Sequence, residues 1–313
     1  MRGFLGIDTS NYTTSAAFES EDGEVTQAKK LLPVKEGEKG IRQSDAVFHH
    51  TVRLPSLMDS LYGSLPGNPS LLAVGASSRP RRDPKSYMPC FMVGKTNGEN
   101  IARVLGVPFY TFSHQEGHIA AALHSSGRRD LFGKRFLAFH LSGGTTESLL
   151  VEPGPESIVT AKCIGRSTDL KAGQAVDRTG IMLGLDFPCG PELEKLALKS
   201  TEEFRIKPSL KGFDCSLSGI ENRCMDRKRN GMKDEDIALF CLESIAAAVY
   251  GMAEALTDEY PGLPIVFSGG VMSNSIIRKR IEGSFDCAFA EPVFSADNAA
   301  GTAILTGIEY MRK

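Results

Sequence analysis

The segment "FLGIDTSNYTTSAAFES" (residues 4–20) consists of an apolar run, a polar tip and a second apolar run. The segment "FLAFHLSGGTTESLLVE" (residues 136–152) repeats this layout around a Ser-Gly-Gly-Thr-Thr tip. Apolar runs joined by turns rich in Gly, Ser, Thr and Asn predict β-hairpins. A hairpin that occurs twice predicts two lobes, each opening with one hairpin whose tip faces the other lobe.

Strand-like and helix-like segments alternate between and after these hairpins. Short apolar runs at 71–77 and 107–113 predict buried strands, and helical patterns follow at 98–106 and 114–124. Further helices are predicted at 174–185, 191–198 and 236–260, and a final one at 295–313 is expected to be capped by Ser295 or Asp297. This alternation predicts an α/β fold.

Two Gly-Gly turns, "SGGTT" (142–146) and "SGGVMSN" (268–274), offer backbone N–H groups without side-chain bulk. Such turns can bind a phosphate or another anion, above all at a helix N-terminus. The duplicated hairpin together with a strand–Gly-Gly–helix unit is the layout of the actin, Hsp70 and sugar-kinase superfold. We therefore expect an N-terminal lobe at 1–133, a C-terminal lobe at 134–297, a ligand cleft between them, and a helix at 298–313 that packs back on the first lobe.

Composition and charge limit the kinds of protein that this chain can be. The formal net charge is −2, and seven cysteines are scattered without a Cys-x-x-Cys pair, which indicates reduced thiols. The N-terminus lacks a signal-peptide core and no apolar run is long enough to span a bilayer, so a cytoplasmic protein without a membrane is expected. Basic clusters at 79–85 and 226–233 are typical either of a solvated face or of a contact to RNA or phosphate.

His114 and His118 lie four residues apart in a predicted helix and therefore share one face. Their imidazoles could hold one metal ion, or the pair could be structural. A zinc peptidase of the His-Glu-x-x-His type needs glutamate directly after the first histidine, where Gln115 stands. Glu116 would point away from the metal, which argues against a metallopeptidase.

The chain resembles the tRNA threonylcarbamoyladenosine transferases, the TsaD-like branch of that superfold, which also carries a glycoprotease-type label. The resemblance runs from about residue 3 to 310, and its motifs follow the family's order. They are "LGIDTS", "HQEGH", "LSGGTTE", "AGQAVDRTGIMLGLDFPCGPELEKLA", "CSLSGIE", "SGGVMSN" and "ADNAAG".

The resemblance implies a function and a set of site residues. The family transfers a threonylcarbamoyl group from its adenylate to N6 of the tRNA adenosine beside the anticodon, so tRNA is the implied partner, with helper subunits or a homodimer left open. The cofactors implied are one divalent metal ion, iron or zinc, and an adenine nucleotide or threonylcarbamoyl-adenylate. The matching positions are His114, His118 and Asp297 for the metal, Ser142, Gly143, Gly144 and Thr145 for phosphate, and Asp177, Gly190 and Asn274 for the nucleoside.

Several positions depart from the family pattern. The hairpin tip of bacterial members reads Glu-Thr-Ser-Cys-Asp-Glu-Thr, and here Tyr12 stands where the aspartate expected to act as base would be. A phenol stays protonated at neutral pH and is a poor base. Asp8 keeps a carboxylate nearby, one methylene shorter than the family's glutamate, so Asp8 and Tyr12 are the catalytic candidates. The family's Gly-Pro-Gly loop is replaced by the basic loop 79–85, which suggests altered substrate recognition or a different acceptor.

These departures predict a divergent member of the family, an enzyme with a changed catalytic residue. The first alternative is a non-catalytic protein that binds the adenylate and serves as partner or scaffold of a transferase. A metallopeptidase is a weaker alternative. A sugar or acid kinase of the same superfold would need no histidine pair, because Mg²⁺ prefers oxygen ligands.

Overall fold

The computed structural model describes residues 1–10, 12–33, 41–83, 85–295 and 297–313. The strands are β1 (Arg2–Ser10), β2 (Thr13–Ser20), β3 (Val25–Leu31), β4 (Ser70–Arg79), β5 (Phe109–Ser113), β6 (Phe136–Leu141), β7 (Thr146–Glu152), β8 (Thr160–Arg166), β9 (Leu210–Lys211), β10 (Asp214–Cys215), β11 (Ile265–Ser268) and β12 (Cys287–Phe289). The helices are α1 (Gln43–Ser64), α2 (Phe91–Leu105), α3 (His114–Ser125), α4 (Ala172–Met182), α5 (Gly190–Ala197), α6 (Ser218–Arg229), α7 (Asp234–Glu259), α8 (Ser275–Ile281), α9 (Pro292–Ser295) and α10 (Ala300–Met311).

The chain forms two compact units. The first unit comprises Met1–Lys134, Glu152–Ala161 and Val293–Lys313, and the second comprises Arg135–Val151 and Lys162–Pro292. Residues 152–161 lie within the span expected for the second lobe, yet they cluster with the first unit. One reason is that the N–H of Ile158 donates to Glu309 Oε1 at 3.2 Å, which ties this segment to α10.

The sheet of the first unit has the order β3-β2-β1-β4-β5, in which β1 pairs with β2 antiparallel and with β4 parallel. Successive residues of β1 face opposite sides of the sheet. Leu5 and Ile7 pack into a core shared with α1 and α2, whereas a Cβ atom at Gly6 would meet the backbone of Ala303 in α10. Helices therefore cover both faces, which explains why β1 is buried from Gly3 to Ser10.

The sheet of the second unit has the order β12-β11-β6-β7-β8 and repeats the same scheme. The β6–β7 hairpin is antiparallel, and β11 runs parallel to both β6 and β12. The two predicted hairpins and the α/β class are therefore confirmed. The helix α7 supplies much of this core. By length and composition it could cross a membrane, which the expectation from apolar runs had missed, but 78% of its most apolar window is buried within the fold.

The final helix begins later than predicted, at Ala300, and the expected cap is wrong. The side-chain oxygen of Asn298, not that of Ser295 or Asp297, accepts a hydrogen bond from the Ala300 N–H at 3.0 Å. The N-cap residue itself is Ala299, which has no capping side chain, and Asn298 bonds the backbone N–H two residues on, as Asn side chains do in turns. Asp297 therefore keeps its carboxylate for other contacts.

Candidate metal centre and phosphate-binding turns

The helix that carries both histidines starts with a capping box. Ser113 Oγ accepts from the Glu116 N–H at 3.3 Å, and Glu116 Oε2 accepts from the Ser113 N–H at 2.6 Å. The guanidinium of Arg82 pairs with the same carboxylate, with Nε 3.0 Å from Oε1. Glu116 is thus buried and engaged in structural bonds, which agrees with the argument against a metallopeptidase.

The structure brings His114, His118 and Asp297 together. The two Nε2 atoms lie 2.9 Å apart, and Asp297 Oδ1 lies 3.2 Å from His118 Nε2 and 3.4 Å from His114 Nε2. One ligand atom from each residue falls within 4.8 Å of the other two. The histidines sit one turn apart on α3, and the aspartate precedes α10, which packs on α3.

This arrangement fits a metal ion. A four-coordinate zinc ion with bonds of about 2.0–2.1 Å separates its ligand atoms by roughly 3.3 Å, close to the distances here. Two imidazole nitrogens and one carboxylate also suit iron, which the same donor set binds in many oxygenases. The set leaves further coordination positions for ligand oxygens.

The electrostatics of the cluster favour positive charge. Burial lowers the pKa of His114, but the carboxylates of Asp8 and Asp297 outweigh burial and raise that pKa to about 10. Burial raises the pKa of Asp297, but hydrogen bonds from His114 and His118 outweigh it and lower the pKa below its ordinary value. Neighbouring opposite charges favour the ionised form of each group.

The two catalytic candidates lie at the β1–β2 hairpin of the same unit. Asp8 is 1% exposed, and its Oδ2 lies 2.8 Å from His114 Nδ1. Tyr12 is 37% exposed and accepts a hydrogen bond from the Leu32 N–H through its carbonyl oxygen. Asp8 therefore belongs to the histidine cluster, whereas Tyr12 presents its ring to solvent.

The turn at Ser142–Thr145 joins β6 to β7 in the second unit. The Ser142 N–H donates to the Thr145 carbonyl at 2.8 Å, and the Thr145 N–H donates to Ser142 Oγ at 3.1 Å. A Cβ atom at Gly143 or Gly144 would meet nothing within 4 Å, so the tip is open. Its neighbour is Gly269, at φ +94°, where a Cβ would lie 2.1 Å from the Leu141 carbonyl oxygen. Both Gly-Gly turns thus meet at the carboxyl ends of β6 and β11, where α/β sheets bind ligands.

The three nucleoside candidates lie in or at the start of helices of the second unit: Asp177 in α4, Gly190 at the start of α5 and Asn274 before α8. Asp177 Oδ1 accepts from the Cys189 N–H at 3.0 Å, which places Asp177 beside Gly190, the first residue of α5. Asn274 is 8% exposed, and its Oδ1 accepts from the N–H groups of Ile276 and Ile277 at 3.1 Å each. Asn274 is therefore the N-cap of α8, a structural bond that leaves its amide N–H₂ group for a ligand.

Sequence reasoning missed the residues that support the cluster. Ser77 Oγ donates to Asp8 Oδ2 and lies 3.2 Å from Thr302 Oγ1, and Arg82 holds Glu116. Ser77 lies in the buried part of β4 and Thr302 in the apolar helix α10. A hydroxyl residue within an apolar segment was the available sequence signal, because a buried hydroxyl needs a hydrogen-bond partner.

A family model described as tRNA N6-adenosine threonylcarbamoyltransferase matches residues 35–304. Proteins with this name from Chlorobium phaeobacteroides and Thermus thermophilus are each 28% identical to the chain, over 98% of its length and 93% of theirs. A protein of Thermoplasma acidophilum named a probable bifunctional tRNA threonylcarbamoyladenosine biosynthesis protein is 26% identical, over 88% of this chain and 49% of its own.

Solved structures show the same fold. Component A of the (R)-2-hydroxyglutaryl-CoA dehydratase of Acidaminococcus fermentans superimposes with a TM-score of 0.57 at 17% identity, over 98% of both chains. HypF of T. kodakarensis superimposes with a TM-score of 0.61 at 14% identity, over 99% of this chain and 48% of its own. A ROK family glucokinase of Streptomyces griseus gives 0.53 at 11% identity, over 97% of this chain and 98% of its own. The predicted actin, Hsp70 and sugar-kinase superfold is therefore confirmed.

Proposed function

The chain belongs to the tRNA N6-adenosine threonylcarbamoyltransferase family, and from that premise we propose that it is a metal-dependent member of these transferases. The reaction proposed moves a threonylcarbamoyl group from its adenylate to N6 of a tRNA adenosine beside the anticodon. The observation that carries the proposal is the convergence of His114, His118 and Asp297 within 4.8 Å. A protein that only bound adenylate would need no such donor set.

The residues of the first unit would hold the metal ion and the reactive end of the donor. His114, His118 and Asp297 would supply its ligands, and a bound ion would polarise the acyl-phosphate group.

The residues of the second unit would hold the nucleotide part of the donor. The turn at Ser142–Thr145 offers N–H groups and hydroxyls to phosphate oxygens. Asp177 Oδ1 accepts a hydrogen bond from the Cys189 N–H, and we assign Oδ2 to accept from the ribose hydroxyls.

The tRNA acceptor would meet the basic loop 79–85, of which Pro84 lies outside the described residues. The Gln115 N–H donates to the Pro80 carbonyl at 3.0 Å, and Arg79 pairs with Ser113 across β4 and β5. The loop is therefore fixed directly beside His114. Arg81 and Lys85 are exposed there, and exposed basic side chains bind nucleic-acid phosphates.

The role of this loop is tested with the variant Arg81→Glu/Lys85→Glu. We expect the variant to bind all tRNAs more weakly, whatever their sequence, measured by filter binding at several salt concentrations. The slope of log K against log salt concentration should fall by about 1 for each phosphate that the variant no longer binds. The matched control is Arg103→Glu on the exposed face of α2, which should bind tRNA as wild type does. Unchanged binding of the double variant would assign the loop a solvent-facing role.

The alternative is a partner protein that binds the adenylate without transferring the acyl group, and Tyr12 in place of the expected aspartate favours it.

One experiment separates the transferase from the partner protein. Purified protein is incubated with threonylcarbamoyl-adenylate and unmodified tRNA, with metal or with chelator and with or without helper proteins, and the nucleosides are analysed. The transferase predicts modified adenosine that disappears with chelator and in His114→Ala. The control His124→Ala, on the same helix but outside the cluster, should keep the activity. Binding of adenylate without product under every condition would establish the scaffold instead.

A further inference from the structure

The carboxylate of Asp8 is enclosed by hydrogen-bond donors. Its Oδ1 accepts from the Ser10 N–H at 2.8 Å, and its Oδ2 accepts from Ser77 Oγ and contacts His114 Nδ1 at 2.8 Å. Ser77 Oγ in turn lies 3.2 Å from Thr302 Oγ1 in α10. The chain of contacts therefore joins β1, β4, α3 and α10 around one buried side chain, which is 1% exposed.

The contact with Asp8 determines which nitrogen of His114 carries the proton. An ionised carboxylate only accepts hydrogen bonds, so Nδ1 of His114 must be the N–H donor. In the neutral ring the lone pair then lies on Nε2, which faces His118 Nε2 at 2.9 Å and Asp297 Oδ1 at 3.4 Å. A lone pair at Nε2 is what a metal ion at the cluster needs.

We propose that Asp8 is a positioning residue, which fixes the tautomer and orientation of His114 for metal binding, and that it is not the base that deprotonates the amine. The assignment rests on the proposed metal site. Both oxygens of Asp8 are engaged, and the side chain has almost no exposed surface through which an amine could reach it. A carboxylate behind a metal-binding histidine raises the basicity of the ligand and holds its ring.

The test measures metal affinity and not activity alone. Zn²⁺ and Co²⁺ dissociation constants are measured for the purified, metal-free protein by competition with a chelator. Asp8→Asn should weaken binding by about 10- to 100-fold. Ser77→Ala, which removes one donor to Asp8, should weaken binding in the same direction by a smaller factor. The control Asp59→Asn, an exposed carboxylate on α1, should leave the constants unchanged.

Nitrogen NMR of ¹⁵N-histidine-labelled, metal-free protein at high pH gives a second readout. Wild type should show a histidine signal with the proton held at Nδ1 that is lost in His114→Ala and altered in Asp8→Asn. A purely structural effect of Asp8 would lower the unfolding temperature without changing the tautomer.

The outcomes distinguish this inference from the proposed function. If Asp8→Asn abolishes acyl transfer but binds metal as tightly as wild type, Asp8 is the base, and the positioning role is overturned while the transferase stands. If the variant loses metal affinity and wild type transfers nothing, the positioning role stands and the proposed function fails. If Asp8→Asn does not fold, unchanged metal affinity and an unchanged tautomer in Ser77→Ala would overturn the inference.

Discussion

Gly301 of α10 lies so close to Gly117 of α3 that a Cβ atom at position 301 would stand 1.8 Å from the Gly117 carbonyl oxygen. Gly117 lies between the two histidines, and Asp297 precedes α10, so this close approach brings the aspartate to the imidazoles. In Gly301→Ala the helices must separate. We expect an unfolding free energy lower by about 1–3 kcal/mol and clearly weaker Zn²⁺ binding, measured by denaturant unfolding and chelator competition.

The control for this substitution is Gly63→Ala in the last turn of α1, where a Cβ would meet nothing within 4 Å. Alanine is favoured over glycine in a helix, so this variant should be stabilised by up to about 1 kcal/mol and should bind metal normally. Normal metal affinity in Gly301→Ala would show that the interhelical contact does not set the position of Asp297.

The ion pair between Arg82 and Glu116 should stabilise the start of α3. Among the described residues, Arg82→Met leaves the Glu116 carboxylate, whose side chain is 2% exposed, with the Ser113 N–H as its remaining hydrogen-bond donor. We expect a loss of about 1–3 kcal/mol in unfolding free energy, together with weaker metal binding because His114 is the first residue of the helix. Arg103→Met, which removes an exposed pair with Glu99, should cost less than about 0.5 kcal/mol. Equal losses in the two variants would contradict a special role for Arg82.

Asp169 should make stability depend on pH. Burial raises the pKa of Asp169, but hydrogen bonds from Ser216 and Ser218 and from the N–H groups of Leu217 and Leu170 outweigh it and lower the pKa. A carboxylate whose pKa is lowered on folding stabilises the protein above its unfolded pKa of about 3.9, and the contribution is lost as the pH falls through the folded value.

Asp169→Asn should therefore lower the unfolding free energy by about 1 kcal/mol near neutral pH, a modest value because the side chain is exposed. The difference from wild type should shrink as the pH falls below about 4, measured by denaturant unfolding across the range. Asp186→Asn, an exposed carboxylate of the same unit, is the control. A difference that stays constant down to about pH 3 would mean that the amide replaces the carboxylate in these bonds or that packing causes the loss.

Tyr12 offers a test of the missing base. Because Tyr12 is 37% exposed at the hairpin tip, the fold should tolerate Tyr12→Asp, which restores the carboxylate of the family pattern. We expect transfer to tRNA to rise by at least about tenfold, measured as modified nucleoside per unit time. The control Tyr12→Asn introduces a side chain of the same size as aspartate but without its charge, and it should not show this gain. A rate that Tyr12→Asp leaves unchanged would place the base elsewhere.

The parts of the fold that were predicted correctly have local signals. Alternation of apolar and turn residues predicted the β1–β2 and β6–β7 hairpins, and the four-residue spacing placed His114 and His118 on one face of α3. The helix α1 was not predicted, since Pro55 lies in its interior and proline ordinarily interrupts a helix.

Contacts between distant segments could not be predicted in the same way. Asp8 and His114 are 106 residues apart, and their contact depends on the parallel register of β1, β4 and β5 and on the start of α3 directly after β5. The predicted cap of α10 was wrong for a related reason. Ser295 lies in α9 and Asp297 contacts the histidines, so neither caps α10. Asn298, which was not a candidate, bonds the first N–H of the helix instead. Only the family resemblance pointed to Asp297 as a third metal ligand, and the structure places it beside the two histidines.

All the donor atoms of the candidate metal centre, and the Asp8 carboxylate behind them, belong to elements of the first unit. If these residues bind an ion as proposed, it should load and be removed without adenylate, because none of its ligands comes from the turns of the second unit proposed to bind nucleotide. We therefore expect the adenylate-free protein to take up one equivalent of metal per polypeptide at this single set of donors.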